Sequence, residues 1–267
     1  MPDRPVAAVT GASSGIGAAF ARELAARGYD LLLIARRTDK LQNLADELRK
    51  CGAAAEIVTA DLTADADILH VDRRLREEPR LEMLVNNAGF GAGGPFASAD
   101  IAAQEGMHRL HILATLRLTH AALSVMTPRR KGAIINVASV AGFIISPGAL
   151  SYGATKNWIN VFTEGLWLEL RAASSPVKVQ SLCPGFTYSE FHDVAHLDRT
   201  KLASKAWWFT PERVVADSFA GLERDKVFVI PGFRYRLLVA LVTRLPNSVR
   251  RAILVKASRK RGRLDPA

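Results

Sequence analysis

The chain has 267 residues, of which 49% are hydrophobic, a formal net charge of +10 and only two cysteines. This length and apolar content predict one α/β domain with a large core. Two cysteines, expected to be reduced and buried, argue against a disulfide-built secreted scaffold. Residues 1–5 form no charged-then-apolar leader before the first predicted strand, so we expect a cytoplasmic protein.

Seven apolar runs predict strands in chain order, and helical patterns lie between them. The strands are predicted at about residues 6–9, 31–35, 56–60, 81–85, 132–138, 177–182 and 227–230. The helices between the first six are predicted at about 18–27, 38–50, 65–78, 100–126 and 152–171. Strands that alternate with helices predict a single doubly wound (Rossmann-like) parallel seven-stranded sheet with helices on both faces.

The first strand is followed by the glycine-rich turn Thr10-Gly11-Ala12-Ser13-Ser14-Gly15-Ile16-Gly17. A glycine-rich turn between a strand and a helix N-terminus is an anion-binding arrangement. The glycines let the backbone approach a pyrophosphate, and the helix end presents unpaired N–H groups to it. The turn therefore predicts a dinucleotide site, with a tight connection that binds no ligand as the alternative.

Tyr152 and Lys156 lie four residues apart and share one face of a predicted helix. A tyrosine phenol ordinarily has a pKa near ~10, and a neighbouring ammonium favours the phenolate, so the pair is a candidate proton donor and acceptor near neutral pH. Ser139 follows the fifth predicted strand, where its hydroxyl would sit beside the phenol. A partly exposed tyrosine beside a solvated lysine is the alternative, because this spacing is common by chance.

Five motifs stand in order along the chain: Thr10-Gly11-x-x-x-Gly15-x-Gly17, Asn86-Asn87-Ala88-Gly89, Ser139, Tyr152-x-x-x-Lys156 and Pro184-Gly185. Together they resemble the short-chain dehydrogenase/reductase family over about residues 5–232. The resemblance implies an enzyme that transfers hydride between a nicotinamide cofactor and a carbonyl or secondary alcohol. It also implies that Ser139, Tyr152 and Lys156 are catalytic.

Arg36 and Arg37 follow the second predicted strand, where NAD-preferring dehydrogenases carry an acidic residue that holds the ribose hydroxyls. Guanidinium groups match a phosphate, whereas a carboxylate would repel one. We therefore predict NADP(H) as cofactor, with both arginines around its 2′-phosphate. Arginines at a solvated strand end are the alternative.

The resemblance implies further cofactor contacts. Asp61 and Leu62 are assigned to the adenine ring and Asn87 to a ribose, while Pro184, Gly185 and Thr187 are assigned to the nicotinamide. The complete predicted cofactor-binding set is Gly11, Ser13, Ser14, Gly15, Ile16, Gly17, Arg36, Arg37, Asp61, Leu62, Asn87, Ala88, Gly89, Tyr152, Lys156, Pro184, Gly185 and Thr187.

His111 departs from the family pattern, which has an Asn eight residues before a Thr, here Thr119. That Asn is thought to hold a water that passes protons through the lysine to the tyrosine. An imidazole can both accept and donate a proton near neutral pH, so His111 is a fourth catalytic candidate. One alternative is that His111 only fills a core position and makes one hydrogen bond. The other is that the proton relay has been lost, and that the chain is a cofactor-binding regulatory or membrane-associated protein that barely catalyses.

Two pairs of histidines have helical spacing, His108 with His111 and His192 with His196. A metal site needs at least a third ligand of suitable chemistry, and no Cys or carboxylate cluster completes either pair. The sequence therefore predicts no metal.

The segment at about 188–209 is predicted to be a lid over the substrate. It carries the aromatic side chains Phe191, Trp207, Trp208 and Phe209. These are expected to face three apolar side chains in the loop after the fifth strand, Phe143, Ile144 and Ile145. A cleft with such walls suits a lipid-like, steroid-like or aromatic carbonyl compound.

The helix that carries Tyr152 has an apolar stripe formed by Trp158, Val161, Phe162, Leu166 and Leu170. In this fold the equivalent helix usually pairs with its copy in a second subunit, so the resemblance implies a homo-oligomer, a dimer or a tetramer. Burial of the stripe against the sheet of the same chain is the alternative.

Residues 1–232 form the predicted catalytic domain, and residues 233–267 form a basic C-terminal extension. The extension contains ten Lys or Arg and one Asp, a net charge of +9, which leaves +1 on the catalytic domain. The apolar run 237–243 is too short for a bilayer span of ~20 residues. A short apolar stripe among basic residues can dock peripherally on an anionic membrane. A helix packed on the domain or an acidic partner are alternatives, but nucleic acid is disfavoured because no aromatics interleave with the basic residues.

Overall fold

The computed structural model describes residues 4–190 and 204–260. Within them, seven parallel strands form one sheet: β1 (Val6–Thr10), β2 (Asp30–Ala35), β3 (Ala55–Thr59), β4 (Leu81–Asn86), β5 (Ala133–Val137), β6 (Lys178–Leu182) and β7 (Phe228–Val229). Their order across the sheet is β3-β2-β1-β4-β5-β6-β7. The predicted doubly wound α/β fold is therefore confirmed.

Helices connect the strands and continue beyond the last one. They are α1 (Gly15–Ala26), α2 (Thr38–Lys50), α3 (Asp65–Arg76), α4 (Ile101–His108), α5 (Thr115–Arg129), α6 (Leu150–Ala172), α7 (Pro211–Glu223), α8 (Phe233–Arg244) and α9 (Asn247–Lys260). The bounds of α2 are those predicted from the sequence. α1 begins three residues earlier than predicted, at Gly15, inside the glycine-rich turn.

The strands are apolar on both faces because helices cover both faces of the sheet. Side chains alternate along β1, so Ala7 and Val9 join one buried cluster while Val6 and Ala8 join the other. The first cluster contains the inner faces of α1, α2 and α7, and the second contains those of α3, α5 and α6. A strand of this kind reads as an unbroken apolar run, which is why the pattern was recognisable.

The strand order reverses between β1 and β4, which creates a crevice at the carboxyl ends of the strands. The loops that leave β1, β4, β5 and β6 all open onto this edge. They carry the glycine-rich turn, Asn87, Ser139 and Pro184, respectively. The topology thus gathers motifs that are far apart in the chain.

The region predicted as one helix over 100–126 is helical without a break from Ile101 to Arg129, but it is not α-helical throughout. A π-helical turn at Arg109–Ala114 lies between α4 and α5. Asp100 caps α4 by accepting hydrogen bonds from the backbone N–H groups of Ala102 and Ala103. A π turn is a local widening that is common at functional sites, and apolar periodicity does not reveal it. His111 lies inside this turn.

In its described part, up to Lys260, the C-terminal extension forms the helices α8 and α9, with Pro246 between them. Tyr235 and Val239 on one side of α8 are buried, so α8 is docked on the catalytic domain. Among residues 4–190 and 204–260, we find no helix with the length and apolar character that a bilayer crossing requires. Asp265 at the end of the extension lies outside the described residues. Both cysteines are free, but Cys51 is exposed rather than buried as predicted.

Candidate active site

Ser139 and Tyr152 are brought together at the crevice. Ser139 follows β5 and caps a short 3₁₀ turn, where its buried hydroxyl accepts a hydrogen bond from the N–H of Ala141 at 3.1 Å. Tyr152 lies in the first turn of α6, and its phenol is hydrogen-bonded to the Ser139 side chain. The serine hydroxyl and the tyrosine phenol therefore lie next to each other, as the sequence predicted.

Lys156 lies one turn further along α6, with its ammonium group enclosed by protein. Its Nζ donates to the carbonyl oxygen of Val137 at 2.9 Å and lies 5.8 Å from the centre of the Tyr152 ring. Burial lowers the pKa of Lys156 to about 7, an effect opposed by the nearby Cys183. Burial thus moves the titration of this lysine from strongly basic pH toward neutral pH.

The expected lowering of the tyrosine pKa is not found. Burial raises the pKa of Tyr152 to about 12, and the hydrogen bond to Ser139 offsets only part of that rise. The physical reason is that desolvation penalises the phenolate more than its neighbours stabilise it. The phenol is therefore protonated at neutral pH, which suits a proton donor.

His111 is buried beside the tyrosine and the lysine. Its Nδ1 lies 2.9 Å from the hydroxyl of Thr155, and that hydroxyl donates to the carbonyl oxygen of Tyr152, also at 2.9 Å. The Thr155 hydroxyl donates its proton to the Tyr152 carbonyl, so its oxygen can only accept a hydrogen bond from His111. Nδ1 therefore carries the imidazole proton, and Nε2 is the acceptor nitrogen. Burial, followed by the charge of Lys156, holds the pKa of His111 well below its usual range. The ring is thus neutral, with a defined tautomer.

The His111 Nε2 atom is buried and has no hydrogen-bond partner among the described residues. A Cβ placed on Gly89 would lie 2.8 Å from this Nε2 and 3.6 Å from the Lys156 Nζ. The two nitrogens therefore border the same small space, which only a glycine at position 89 leaves open. The geometry fits the predicted placement of His111 next to the tyrosine–lysine pair, while its role stays a prediction.

The glycine-rich turn forms a close-packed cradle at the end of β1. Gly11 has a positive φ of 65°, and a Cβ there would lie 2.8 Å from Asn87 Nδ2. A Cβ on Gly17 would overlap the carbonyl oxygen of Gly11. Asn87 donates to the carbonyl oxygen of Thr10 at 3.0 Å and so ties the β4 end to the turn. This cradle, at the N-terminus of α1, fits the pyrophosphate of a dinucleotide.

The two predicted phosphate-binding arginines point in different directions. Arg36 is exposed and lies 3.9 Å from the carboxylate of Asp61. Arg37 folds onto the glycine-rich turn, where its Nη2 donates to the hydroxyls of Ser13 and Ser14 at 2.9 and 3.0 Å. Of the two, Arg37 alone lies over the cradle.

Two charged residues near the cradle were missed by the sequence analysis. Lys40 forms an ion pair with Glu190, and Glu190 also accepts a hydrogen bond from Arg37 Nη1 at 2.7 Å. Lys40 lies one turn beyond Arg37 on α2, so helical spacing could have identified it. Glu190 is more than a hundred residues away in the chain, and no local pattern points to it.

The remaining predicted cofactor contacts lie along the same crevice. Asp61 is held in a local turn, accepting from the backbone N–H and hydroxyl of Thr63, and Leu62 is buried. Thr187 is buried, and its hydroxyl donates to the carbonyl oxygen of Gly185 at 3.2 Å. The Pro184 carbonyl oxygen accepts from the N–H of Val140, which joins the loops after β5 and β6.

Tyr235 on α8 is a further residue that the sequence analysis missed. Its hydroxyl accepts from the N–H of Phe186 at 2.9 Å and donates to the carbonyl oxygen of Trp207 at 2.8 Å. A Cβ on Gly185 would collide with its ring. The tyrosine of the extension thus ties Phe186, two residues before the predicted lid, to Trp207 near the end of the lid.

The described aromatic residues of the predicted lid contact other rings. Trp207 and Phe209 pack on Tyr235 of the C-terminal extension, at 5.1 and 5.9 Å between ring centres, and their place in a substrate cleft stays a prediction. Tyr188 and Trp208 stack on each other at 5.0 Å. Residues 191–203, which include the predicted Phe191, His192 and His196, lie outside the described residues.

The residues predicted for the opposite wall differ in exposure. Phe143 packs on Phe228 at 5.8 Å between ring centres, whereas Ile145 is exposed. In the described part of the chain, no group of three His, Cys, Asp or Glu side chains is arranged to hold a metal ion.

A doubly wound sheet with a glycine cradle at its point of strand reversal defines a dinucleotide-binding α/β protein. Comparison with known proteins places the chain more narrowly. The family model for short chain dehydrogenase matches residues 5–199. The very-long-chain 3-oxoacyl-CoA reductase of Anas platyrhynchos is 32% identical over 194 residues, which are 71% of this chain and 62% of that relative.

Solved structures give the same result. A short-chain dehydrogenase from Sphingobium yanoikuyae, in complex with NADPH, is 35% identical, with a TM-score of 0.81 over 91% of this chain and 97% of that one. A bulky-bulky ketone specific alcohol dehydrogenase from Comamonas testosteroni is 31% identical, with a TM-score of 0.77 over 91% and 96% of the two chains.

The chain belongs to the short-chain dehydrogenase family. It is an oxidoreductase of the kind that acts on CH–OH and C=O groups.

Proposed function

We propose that the protein is an NADP(H)-dependent enzyme that interconverts a carbonyl and a secondary alcohol on a hydrophobic substrate. The observation that carries the proposal is the Tyr152 phenol, hydrogen-bonded to Ser139 with buried Lys156 one turn away, at the crevice where the strand order reverses. Such a crevice is where doubly wound sheets bind their ligands.

In the proposed reaction, NADP(H) supplies or accepts the hydride when it is bound. For reduction, the Tyr152 phenol gives its proton to the substrate oxygen, which the Ser139 hydroxyl orients. Because the pKa of Tyr152 is raised to about 12, the phenol keeps its proton until the substrate oxygen gains negative charge and becomes basic. Lys156, with a pKa lowered to about 7, can return a proton to the phenolate near neutral pH. In this proposal the neutral His111 accepts a hydrogen bond at Nε2 from a water, and that water passes protons to Lys156.

The preference for NADP(H) over NAD(H) is supported by Arg37 and Lys40, two cations beside the glycine cradle. Arg36 lies on the same edge but is paired with Asp61. A relative 35% identical to this chain was solved with NADPH. An Arg fork and a lysine together match the charge and shape of a phosphate.

The substrate class is supported by the stacked rings of Tyr188 and Trp208 and by exposed Ile145 in the loop that follows β5. Two relatives carry names that indicate bulky carbonyl substrates, a bulky-bulky ketone and a very-long-chain 3-oxoacyl-CoA. We therefore propose a large apolar ketone or the corresponding alcohol, in the lipid-like, steroid-like or aromatic range.

A panel of hydrophobic ketones and alcohols, followed by nicotinamide absorbance with both cofactors, tests the proposal. Wild type should turn over at least one apolar ketone with NADPH and prefer NADPH to NADH. Tyr152→Phe should abolish turnover while NADPH binding survives. Full activity in this variant would reject the catalytic assignment, and a strong NADH preference would reject the cofactor assignment.

A second candidate is a cofactor-binding regulatory protein that catalyses weakly. The observation in its favour is His111, where the family has an Asn. The imidazole is neutral, and its Nε2 has no partner among the described residues. His111→Asn separates the two functions. Loss of turnover in the variant means that the histidine works in the relay, whereas a large rate increase means that the chain has moved away from catalysis.

We also propose that the protein is a homo-oligomer. Val161 and Leu168 on α6, and Leu113 and Leu116 in the neighbouring π turn and α5, are exposed apolar side chains. Burial of such a surface commonly drives symmetric pairing. Light scattering after gel filtration should give a dimer or tetramer, and Val161→Glu with Leu168→Glu should give a monomer.

The C-terminal extension is proposed to dock a cytoplasmic enzyme on an anionic membrane surface. Phe233, Leu237 and Leu241 follow one another every four residues along α8, on the side away from Tyr235 and the catalytic domain, and each is more than half exposed. The sequence of α8 and α9 contains basic side chains and no acidic one. Each basic residue near an anionic bilayer contributes about 1 kcal/mol or less, so several are needed with the apolar stripe.

Sedimentation with vesicles tests this docking. Wild type should bind phosphatidylserine vesicles at low salt, bind less at high salt and bind phosphatidylcholine vesicles poorly. Leu237→Glu should remove the binding, while Leu69→Glu, at an exposed leucine of α3, should not. Equal binding by both variants would favour a purely structural extension, and binding to an acidic protein alone would favour an acidic partner.

A further inference from the structure

The Glu190 carboxylate is held by three groups that surround one anion position. Its Oε2 accepts from Arg37 Nη1 at 2.7 Å and its Oε1 accepts from Lys40 Nζ at 2.5 Å. Hydrogen bonds from Lys40, Arg37 and Ser14 lower the pKa of Glu190 to about 2. The carboxylate is therefore ionised at every pH at which the enzyme would be assayed.

A second observation places the same segment over the cofactor cradle. A Cβ added to Gly15 would lie 2.8 Å from the Cβ of Ser189, so Ser189 rests directly on the glycine-rich turn. Glu190 follows it and reaches Arg37, which precedes α2, and Lys40 on α2. The backbone after Thr187 thus runs across the N-terminus of α1, where an anionic ligand would be expected.

We infer that Glu190 occupies the anion position that the 2′-phosphate of NADP(H) takes, and that it is a specificity-determining residue because it competes with that phosphate for Arg37 and Lys40. The inference rests on the proposed function in one respect, namely that the cofactor carries a 2′-phosphate. A carboxylate and a phosphate monoester both present anionic oxygens that accept hydrogen bonds from an Arg fork and an ammonium. Both cannot occupy one position without strong repulsion.

The competition has a measurable size. The ion pairs of Glu190 are each about 40% exposed, and pairs of this kind shift an equilibrium by only a few-fold. The apparent affinity of a ligand that binds only when Glu190 is released equals its intrinsic affinity multiplied by the fraction of molecules in the released state. Removing the carboxylate should therefore tighten binding of a 2′-phosphate ligand by roughly three- to tenfold. A ligand without that phosphate should gain by less than about twofold.

Calorimetric titration with adenosine 2′,5′-bisphosphate and with AMP tests this without any catalytic turnover. Glu190→Gln should bind the bisphosphate more tightly than wild type and leave AMP binding unchanged. Glu77→Gln is the matched control, because Glu77 is exposed at the end of α3, on the opposite edge of the sheet. Adding Arg37→Gln to Glu190→Gln should remove the gain, since the competition is for that guanidinium.

The outcomes separate this inference from the proposed cofactor. Suppose that wild type binds the bisphosphate more tightly than AMP but Glu190→Gln does not bind the bisphosphate more tightly than wild type. The proposal of NADP(H) as cofactor is then kept, and the proposed competition between Glu190 and the 2′-phosphate is rejected. If wild type shows no preference for the 2′-phosphate, the proposed cofactor fails and the inference fails with it. Weaker AMP binding by Glu190→Gln would also overturn the inference. It would show that the Glu190 carboxylate accepts hydrogen bonds from the ribose hydroxyls rather than competing with a phosphate. Urea denaturation of each variant confirms that it is folded.

Discussion

Replacing Lys156 by methionine should stabilise the protein while abolishing its turnover. The lysine is buried, and its Nζ has the carbonyl oxygen of Val137 as hydrogen-bond acceptor. Burial of an ammonium costs free energy, and here that cost appears as a pKa of Lys156 lowered from 10.5 to about 7. Methionine has a similar length and carries no charge, so it fills the position without the cost.

The size and sign of the effect follow from proton linkage. The folded pKa lies below the unfolded one, so the unfolded state binds the proton more tightly, and stability rises with pH between the two values. At about 1.4 kcal/mol per pH unit, the lysine costs roughly 5 kcal/mol at pH 6 and roughly 2 kcal/mol at pH 9. Losing the hydrogen bond to Val137 offsets about 1 kcal/mol. Lys156→Met should thus gain roughly 4 kcal/mol at pH 6 and roughly 1 kcal/mol at pH 9.

Urea denaturation at pH 6, 7.5 and 9 measures these differences. Lys50→Met, at an exposed lysine that ends α2, is the control and should change the free energy of unfolding by less than about 0.5 kcal/mol at each pH. A gain from Lys156→Met that does not vary with pH, or a loss of stability at pH 6, would refute the desolvation argument. A stabilised but inactive variant would support a functional reason for keeping the buried charge.

Three further predictions concern the cradle, the core and the extension. Gly11→Ala should weaken cofactor binding at least tenfold in a fluorescence titration, because position 11 has a positive φ and its Cβ would crowd the end of β4. Asn136→Ala should cost about 2–4 kcal/mol in urea denaturation, since it breaks a buried side-chain network between the sheet and its helices, whereas exposed Asn43→Ala should cost less than about 0.5. Tyr235→Phe should raise KM for an apolar ketone several-fold and leave the Kd of NADPH unchanged, because the segment ending at Trp207 loses its tie while the cradle does not. An unchanged KM would exclude a positioning role for this tyrosine.

The fold and the centre of the site could be predicted from the sequence because their signals are local. Strands covered on both faces require unbroken apolar runs, and the bounds of α2 were found from helical periodicity alone. A tyrosine and a lysine four residues apart must share a helix face. The family motifs then indicated that Ser139 would meet Tyr152, and their side chains are hydrogen-bonded.

The tertiary structure decided the features that depend on burial and on contacts distant in the chain. Whether burial or a neighbouring charge controls the pKa of Tyr152 depends on how much water surrounds the phenol, which no spacing reveals. The π turn set the position of His111, and the folded chain brought Glu190 to Arg37 across 153 residues. Electrostatic effects of this kind arise from three-dimensional distance and desolvation. The sequence therefore determined which groups are present, and the folded structure determined their charge states and their partners.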